Sequence, residues 1–165
     1  MLIESDLFIA YIKKRDWLKP RAEEIFDAVS SGRLRDAQAS SEVLHELYYV
    51  FADHAPASTI LGNAARVATM ENIEYIDATR ETYLSALELL STYKLGSIFD
   101  AIHAATALTD KAHDRTILST DPAYDRIPGI TRVDPREIEI AQRPPYTRPE
   151  TTPKAMNSFN HQTRQ

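Results

Sequence analysis

The sequence predicts an α/β domain, an α/β/α sandwich around a mainly parallel central sheet. Short apolar runs alternate along the chain with longer segments of helical period, the order that builds a sheet from strand–helix units. The 165 residues fit one domain, and a chain of this size buries about two thirds of its unfolded surface without a covalent staple. There is no cysteine, which excludes a disulfide framework, thiolate zinc sites, iron–sulfur clusters and a cysteine nucleophile.

Leu2-Ile3 is a short apolar run that ends in acids and reads as a buried strand. Residues 7–14 are apolar and then basic, like a short helix. Pro20 suits the first turn of a second helix, which carries Ile25, Phe26 and Val29 inward and stops at Gly32. Residues 36–40 form a weak strand candidate. Ser40 or Ser41 caps the next helix, which turns Val43, Leu44, Leu47 and Val50 inward. A further helix spans 57–70, a strand 73–76, and a helix runs from Thr79 to Tyr93, with Gly96 closing the segment. Ser97 opens a helix to Lys111. Thr116–Thr120 is a strand ending in Asp121, and 130–133 is the last strand. No internal repeat is visible.

The tail from Ala141 holds four of the nine prolines and almost no aliphatic side chains. Residues 1–140 are expected to form the domain, and the Pro-rich polar tail 141–165 to be disordered, since it cannot bury enough to offset its ordering entropy. The tail carries four basic side chains and one acid, so the body holds 15 − 23 = −8. An acidic body argues against nucleic-acid binding through a broad basic face, but not against a phosphodiester substrate at carboxylates that hold cations. Glu4 interrupts the N-terminal apolar run, and no run reaches the roughly 18–20 residues of a membrane span. The expectation is a cytoplasmic protein with no membrane partner.

The acids recur where strands end and helices begin: Glu4 and Asp6, Glu42 and Glu46, Asp100, then Asp121 and Asp125. A parallel sheet brings its strand ends to one edge, where α/β folds place their sites. Carboxylates gathered there without Lys or Arg repel, and divalent cations relieve the repulsion. Oxygen donors without cysteine suit Mg²⁺ or Mn²⁺.

Each acid alone also has a plainer reading. Asp100 completes a capping box with Ser97, Asp121 can open a turn before Pro122, Asp6 can cap the helix that follows it, and Glu46 can be a solvated helix residue. His103 shares the helix face of Asp100 and reads as a structural histidine. Ser119 and Thr120 either position a water or phosphate or satisfy backbone. The four glycines, at 32, 62, 96 and 129, make no phosphate loop, and there is no nucleophile elbow.

Phe99-Asp100-Ala101-Ile102-His103-Ala104-Ala105-Thr106-Ala107-Leu108 resembles the third acidic motif of PIN-domain ribonucleases, VapC-type toxins among them. Ile117-Leu118-Ser119-Thr120-Asp121 with Tyr124-Asp125 resembles their fourth motif, and Ser41–Leu47, with Glu46 in the acidic place, their second. The first departs: Glu4-Ser5-Asp6 stands where the family shows Asp-Thr-Asn or a close variant, which sets Glu4 at the usual acid and Asp6 at the usual Asn.

The resemblance implies a PIN-like fold and an endoribonuclease that cleaves RNA with a water activated by Mg²⁺ or Mn²⁺. It implies catalytic roles for Asp6, Glu46, Asp100 and Asp121, with metal on Asp6, Asp100 and Asp121. Glu4, Asp125 and Thr120 are secondary. It also implies an antitoxin protein partner and a homodimer. Lys13, Lys14 and Arg15 are the local cations available to grip the substrate.

Two readings from other classes stand beside this one. A phosphoacceptor receiver domain would use Asp77, but the strand at 116–120 ends in Ser-Thr-Asp where a receiver needs Lys. A catalytically degenerate PIN fold would act only as a protein- or RNA-binding module.

Overall fold

The computed structural model describes residues 1–140; the tail from Ala141, expected to be disordered, lies outside the described residues. The elements follow one another as β1 (Leu2–Ile3), α1 (Ser5–Ile12), α2 (Lys19–Ser30), β2 (Ala37–Ser40), α3 (Val43–Phe51), α4 (Ala57–Ala68), β3 (Ile73–Ile76), α5 (Arg80–Tyr93), α6 (Ile98–Ala107), β4 (Thr116–Leu118), a short 3₁₀ helix (Pro122–Arg126) and β5 (Thr131–Val133).

The five strands form one sheet in the order β3-β2-β1-β4-β5, and every described pairing is parallel. The chain builds outward from β1 to β3, then returns to lay β4 against the free side of β1. The crevice at the carboxyl ends of β1 and β4 is thus the switch point of the sheet.

Successive residues of a strand face opposite ways, and the two central strands show what that achieves. Ile3 and Leu118 join Leu7, Phe8, Ile25, Phe26, Val43 and Leu47 on the face covered by α1 to α4. Leu2 and Ile117 join Ala86, Leu89, Ala101, Ile102 and Tyr124 on the face covered by α5, α6 and the 3₁₀ helix. Two cores on one sheet make the expected three layers. Strands this short survive because both of their faces are dry. Phe8 and Phe26, with ring centroids 4.8 Å apart, pin α1 to α2.

The ends of the helices follow local chemistry. Gly32 adopts a left-handed φ of +71° after α2, and the Arg33 amide returns to the Ala28 carbonyl at 2.8 Å. After α5 the left-handed cap is Lys94, with φ +54°, rather than the expected Gly96. The helix expected to reach Lys111 stops at Ala107, where the Thr109 hydroxyl takes up the Thr106 carbonyl at 2.7 Å. Among the described residues no helix is long and apolar enough to cross a membrane.

Candidate active site at the carboxyl edge of the sheet

Four chain segments bring acids to the β1–β4 crevice. Glu4 leaves β1 with its amide still paired to the Leu118 carbonyl at 3.1 Å, and its side chain caps α1 by accepting from the Asp6 amide. A residue in that place is half strand and half cap, so its carboxylate is delivered to the sheet edge. Ser5 donates to Glu4 Oε1 at 2.6 Å and Ser119 to Oε2 at 3.3 Å.

Asp6 sits one residue into α1, and its Oδ2 accepts from both the amide (2.8 Å) and the hydroxyl (2.7 Å) of Thr120. Its Oδ1 is buried and has no hydrogen-bond partner among the described residues. β4 ends at Leu118, two residues short of the strand end expected from sequence, and the Thr120 amide turns to Asp6.

Glu46 lies in the first turn of α3 and is buried, contrary to the solvated alternative. Its Oε2 stands 3.0 Å from Nε2 of His103, which is fully buried on α6. The same nitrogen is 3.9 Å from Glu4 Oε1. Ligand atoms of Glu4, Glu46 and His103 all lie within 4.8 Å of one another.

Asp100 is both cap and neighbour of the cluster. Its Oδ2 accepts from the Ser97 amide at 2.7 Å, while Ser97 Oγ accepts from the Asp100 amide at 3.1 Å. Gly96 makes room for this box, since a Cβ there would stand 3.0 Å from Asp100 Oδ2. Asp121 caps the 3₁₀ helix through the Ala123 amide at 2.8 Å, and its own amide donates to Ser119 Oγ at 3.0 Å. Capping and cluster membership are therefore compatible readings of the same side chains.

These groups lie close enough to act on one another's charge. Burial pushes the Glu4 carboxyl well above its usual range, and the charges of Asp6 and Glu46 push it further. Burial also raises Asp100; the Ser97 hydrogen bonds oppose that, and the charges of Glu46 and Asp121 add to it. Tyr124, buried beneath the cluster with its hydroxyl donating to the Asp100 carbonyl at 3.3 Å, is raised well above the ordinary phenol value by burial and then by Glu4, Asp100, Glu46 and Asp6. Among the described residues no Lys or Arg forms an ion pair with Glu4, Asp6, Glu46, Asp100 or Asp121.

Other expected residues lie elsewhere. Asp125 is half exposed and held by Arg132 at 3.0 and 3.1 Å. Glu42 is buried, but burial is outweighed by hydrogen bonds from the Tyr83 hydroxyl and His45, which hold its carboxyl below the usual range. Lys13, Lys14 and Arg15 follow the far end of α1, about 12 Å along the helix from the acids. A cavity of about 710 Å³ bounded by Tyr11, Lys13, Lys19, Phe26, Arg66 and Ile73 opens at that opposite edge and touches none of the acids. His103, read from sequence as structural, stands inside the cluster. Its spacing of three from Asp100 was the signal, but a helical face does not reveal what packs against it.

The donor set tests whether a divalent cation fits. Among the described residues it offers several carboxylates, one buried carboxylate oxygen without a partner at Asp6, and no Lys or Arg to neutralise them. That chemistry suits a hard cation that accepts oxygen and tolerates imidazole.

A family model described as PIN domain matches residues 1–130. No curated protein sequence matches significantly. Among solved structures, the fold is similar to Mycobacterium tuberculosis VapC20, described as a sarcin–ricin loop cleaving toxin (TM-score 0.58, 16% identity, 73% of this chain and 88% of that one). It is similar also to VapBC2 from Rickettsia felis, solved with a fragment of promoter DNA (TM-score 0.58, 18% identity, 80% and 96%). A third likeness is to a toxin–antitoxin complex from Klebsiella pneumoniae (TM-score 0.55, 19% identity, 83% and 98%).

Proposed function

Because the chain belongs to the PIN domain family, we propose that it is a metal-dependent endoribonuclease whose site is the acid cluster at the ends of β1 and β4. The observation that carries this reading is the gathering of Glu4, Asp6, Glu46, Asp100 and Asp121 without a Lys or Arg partner among the described residues, with Asp6 Oδ1 buried and unpaired.

Asp6, Asp100 and Asp121 are the ligands expected from sequence, and the position of Glu4 beside Glu46 adds both of those acids to the candidates. Bound Mg²⁺ or Mn²⁺ supplies a Lewis acid that lowers the pKa of a water and stabilises phosphoryl charge. The protein supplies the rest. Ser5 and Ser119 hold the Glu4 carboxylate, Thr120 holds Asp6, and Ser97 holds Asp100, so the acids are oriented before anything binds. The dry wall of Tyr124 and Ile102 beneath them strengthens every electrostatic interaction at the edge.

The similar toxin–antitoxin structures support an antitoxin protein as partner. Exposed Tyr48, Tyr49, Leu84 and Leu87 on α3 and α5 support a homodimer.

The test is cleavage of a panel of structured and single-stranded RNAs with Mg²⁺, with Mn²⁺ and with EDTA, alongside Asp100→Asn. Cleavage that needs metal and is lost in the variant is expected; cleavage that persists in EDTA counts against the reading. A degenerate PIN fold that binds without cutting is the second reading. It is favoured by the departure at the first motif, where Glu4 stands at the position of the usual aspartate. Thermal stabilisation by Mn²⁺ separates the two, since an active cluster binds the ion.

A further inference from the structure

His103 has no exposed surface, and its two ring nitrogens meet different surroundings. Nε2 faces Glu46 Oε2 at 3.0 Å and Glu4 Oε1 at 3.9 Å. Nδ1 is buried and has no hydrogen-bond partner among the described residues. A neutral imidazole carries one N–H and one lone pair. A lone pair on Nε2 would face the lone pairs of Glu46 across 3.0 Å and would bury an N–H at Nδ1 with no acceptor. An orphaned buried N–H is among the rarest defects in folded proteins, whereas an under-used acceptor is more readily tolerated. With the proton on Nε2 alone, both defects vanish.

The unpaired Nδ1 also separates two roles for the ring. As a metal ligand, His103 would present the Nε2 lone pair and would need an acceptor for Nδ1–H, the partner that ligating histidines almost always have. None is present among the described residues.

We propose that His103 is a positioning residue of the acid cluster: its Nε2–H holds Glu46 Oε2, leaving Oε1 for the cation, and His103 does not itself ligate. The proposal rests on the reading of the cluster as a cation site. Glu46 reaches the crevice from α3 and His103 from α6, so the hydrogen bond also sets how closely those two helices present their acids. Oε1 of Glu46 takes no protein hydrogen bond among the described residues, as this division of labour requires.

The first arm of the test is nitrogen NMR of the full chain with labelled histidine, the His103 signals being identified with His103→Gln. The Nε2–H form is expected both without metal and with saturating Mg²⁺. The Nδ1–H form, or a switch to it on adding Mg²⁺, overturns the proposal, the switch by showing direct ligation. The second arm measures Mn²⁺ affinity by calorimetry. His103→Gln, which keeps an N–H donor at similar reach, is expected to bind within about threefold of the parent, and His103→Leu about 10–100-fold more weakly. Equal affinities in the two variants, with only thermal stability changed, overturn the positioning role. If the leucine variant does not fold, the NMR arm and the glutamine variant still decide. Failure of the parent chain to bind Mn²⁺ overturns the cation-site reading and the positioning role with it. An Nδ1–H ring in a chain that binds Mn²⁺ overturns the positioning role alone.

Discussion

Thr120 holds Asp6 twice, its amide at 2.8 Å and its hydroxyl at 2.7 Å from the same carboxylate oxygen. The two residues come from the ends of neighbouring strands and are joined across the crevice between β1 and β4. Thr120→Val keeps the amide bond and loses the hydroxyl. It is expected to cost about 1–2 kcal/mol, the scale of one partly buried hydrogen bond to a charge. Chemical denaturation measures it; no loss of stability would mean that the amide alone holds Asp6.

Asp100 joins a cap to the proposed site, and two substitutions separate the roles. Asn at this position keeps an oxygen for the Ser97 amide and removes the charge, so Asp100→Asn is expected to retain the melting temperature and lose RNA cleavage. Asp100→Ala is expected to lose the activity and also about 0.5–1 kcal/mol from the broken box. Loss of fold in the Asn variant would show that the charge itself is structural.

Glu4 is buried with its charge opposed by Asp6 and Glu46. In metal-free protein at neutral pH, Glu4→Gln is therefore expected to raise stability, on the order of 1 kcal/mol. The same variant is expected to lose most of the stabilisation that Mn²⁺ gives the parent. Thermal melts with and without Mn²⁺ check both halves, and an undiminished response to Mn²⁺ would remove Glu4 from the ligands.

Asp125 is bound to Arg132 outside the cluster, so Asp125→Asn is expected to leave cleavage within about threefold of the parent and to cost less than about 1 kcal/mol, as exposed ion pairs do. A loss as deep as that of Asp100→Asn would place Asp125 in the reaction.

The pH dependence has one clear contributor outside the site. Hydrogen bonds from Arg136 hold the Asp134 carboxyl down at about 2, against an ordinary 3.8, with Arg132 adding to the effect. A depressed carboxyl stabilises the fold above its unfolded pKa and loses that contribution as pH falls through the folded value. Stability is thus expected to drop between about pH 4 and pH 2 by on the order of 1 kcal/mol from this group, since Arg136 is largely exposed. Asp134→Asn should flatten that part of a denaturation series.

The layers of the fold were legible in the sequence because they follow from local pattern. Alternation of apolar runs with helical segments predicts a parallel sheet, and the box Ser97-Ile98-Phe99-Asp100 places the start of α6 to the residue. Helix ends were less legible. Lys94 takes a left-handed conformation that its side chain does not advertise, and α6 stops where a threonine, not a glycine, satisfies the last turn. The acids were found as a recurrence, because strand ends of a parallel sheet share an edge. Their roles were not separable, since Asp6 and Glu4 differ only in which one Thr120 holds and which one faces Glu46 and His103.

By itself the sequence determined the sandwich of layers, the edge where acids would gather and the want of a cationic counterpart there, all properties of pattern and composition. Packing alone set Glu4 against Glu46 with His103 beside both, bringing together residues 42 and 57 positions apart. Burial created that arrangement: a carboxylate or an imidazole in water has no preferred partner, and the dry space under the sheet edge leaves each of them few.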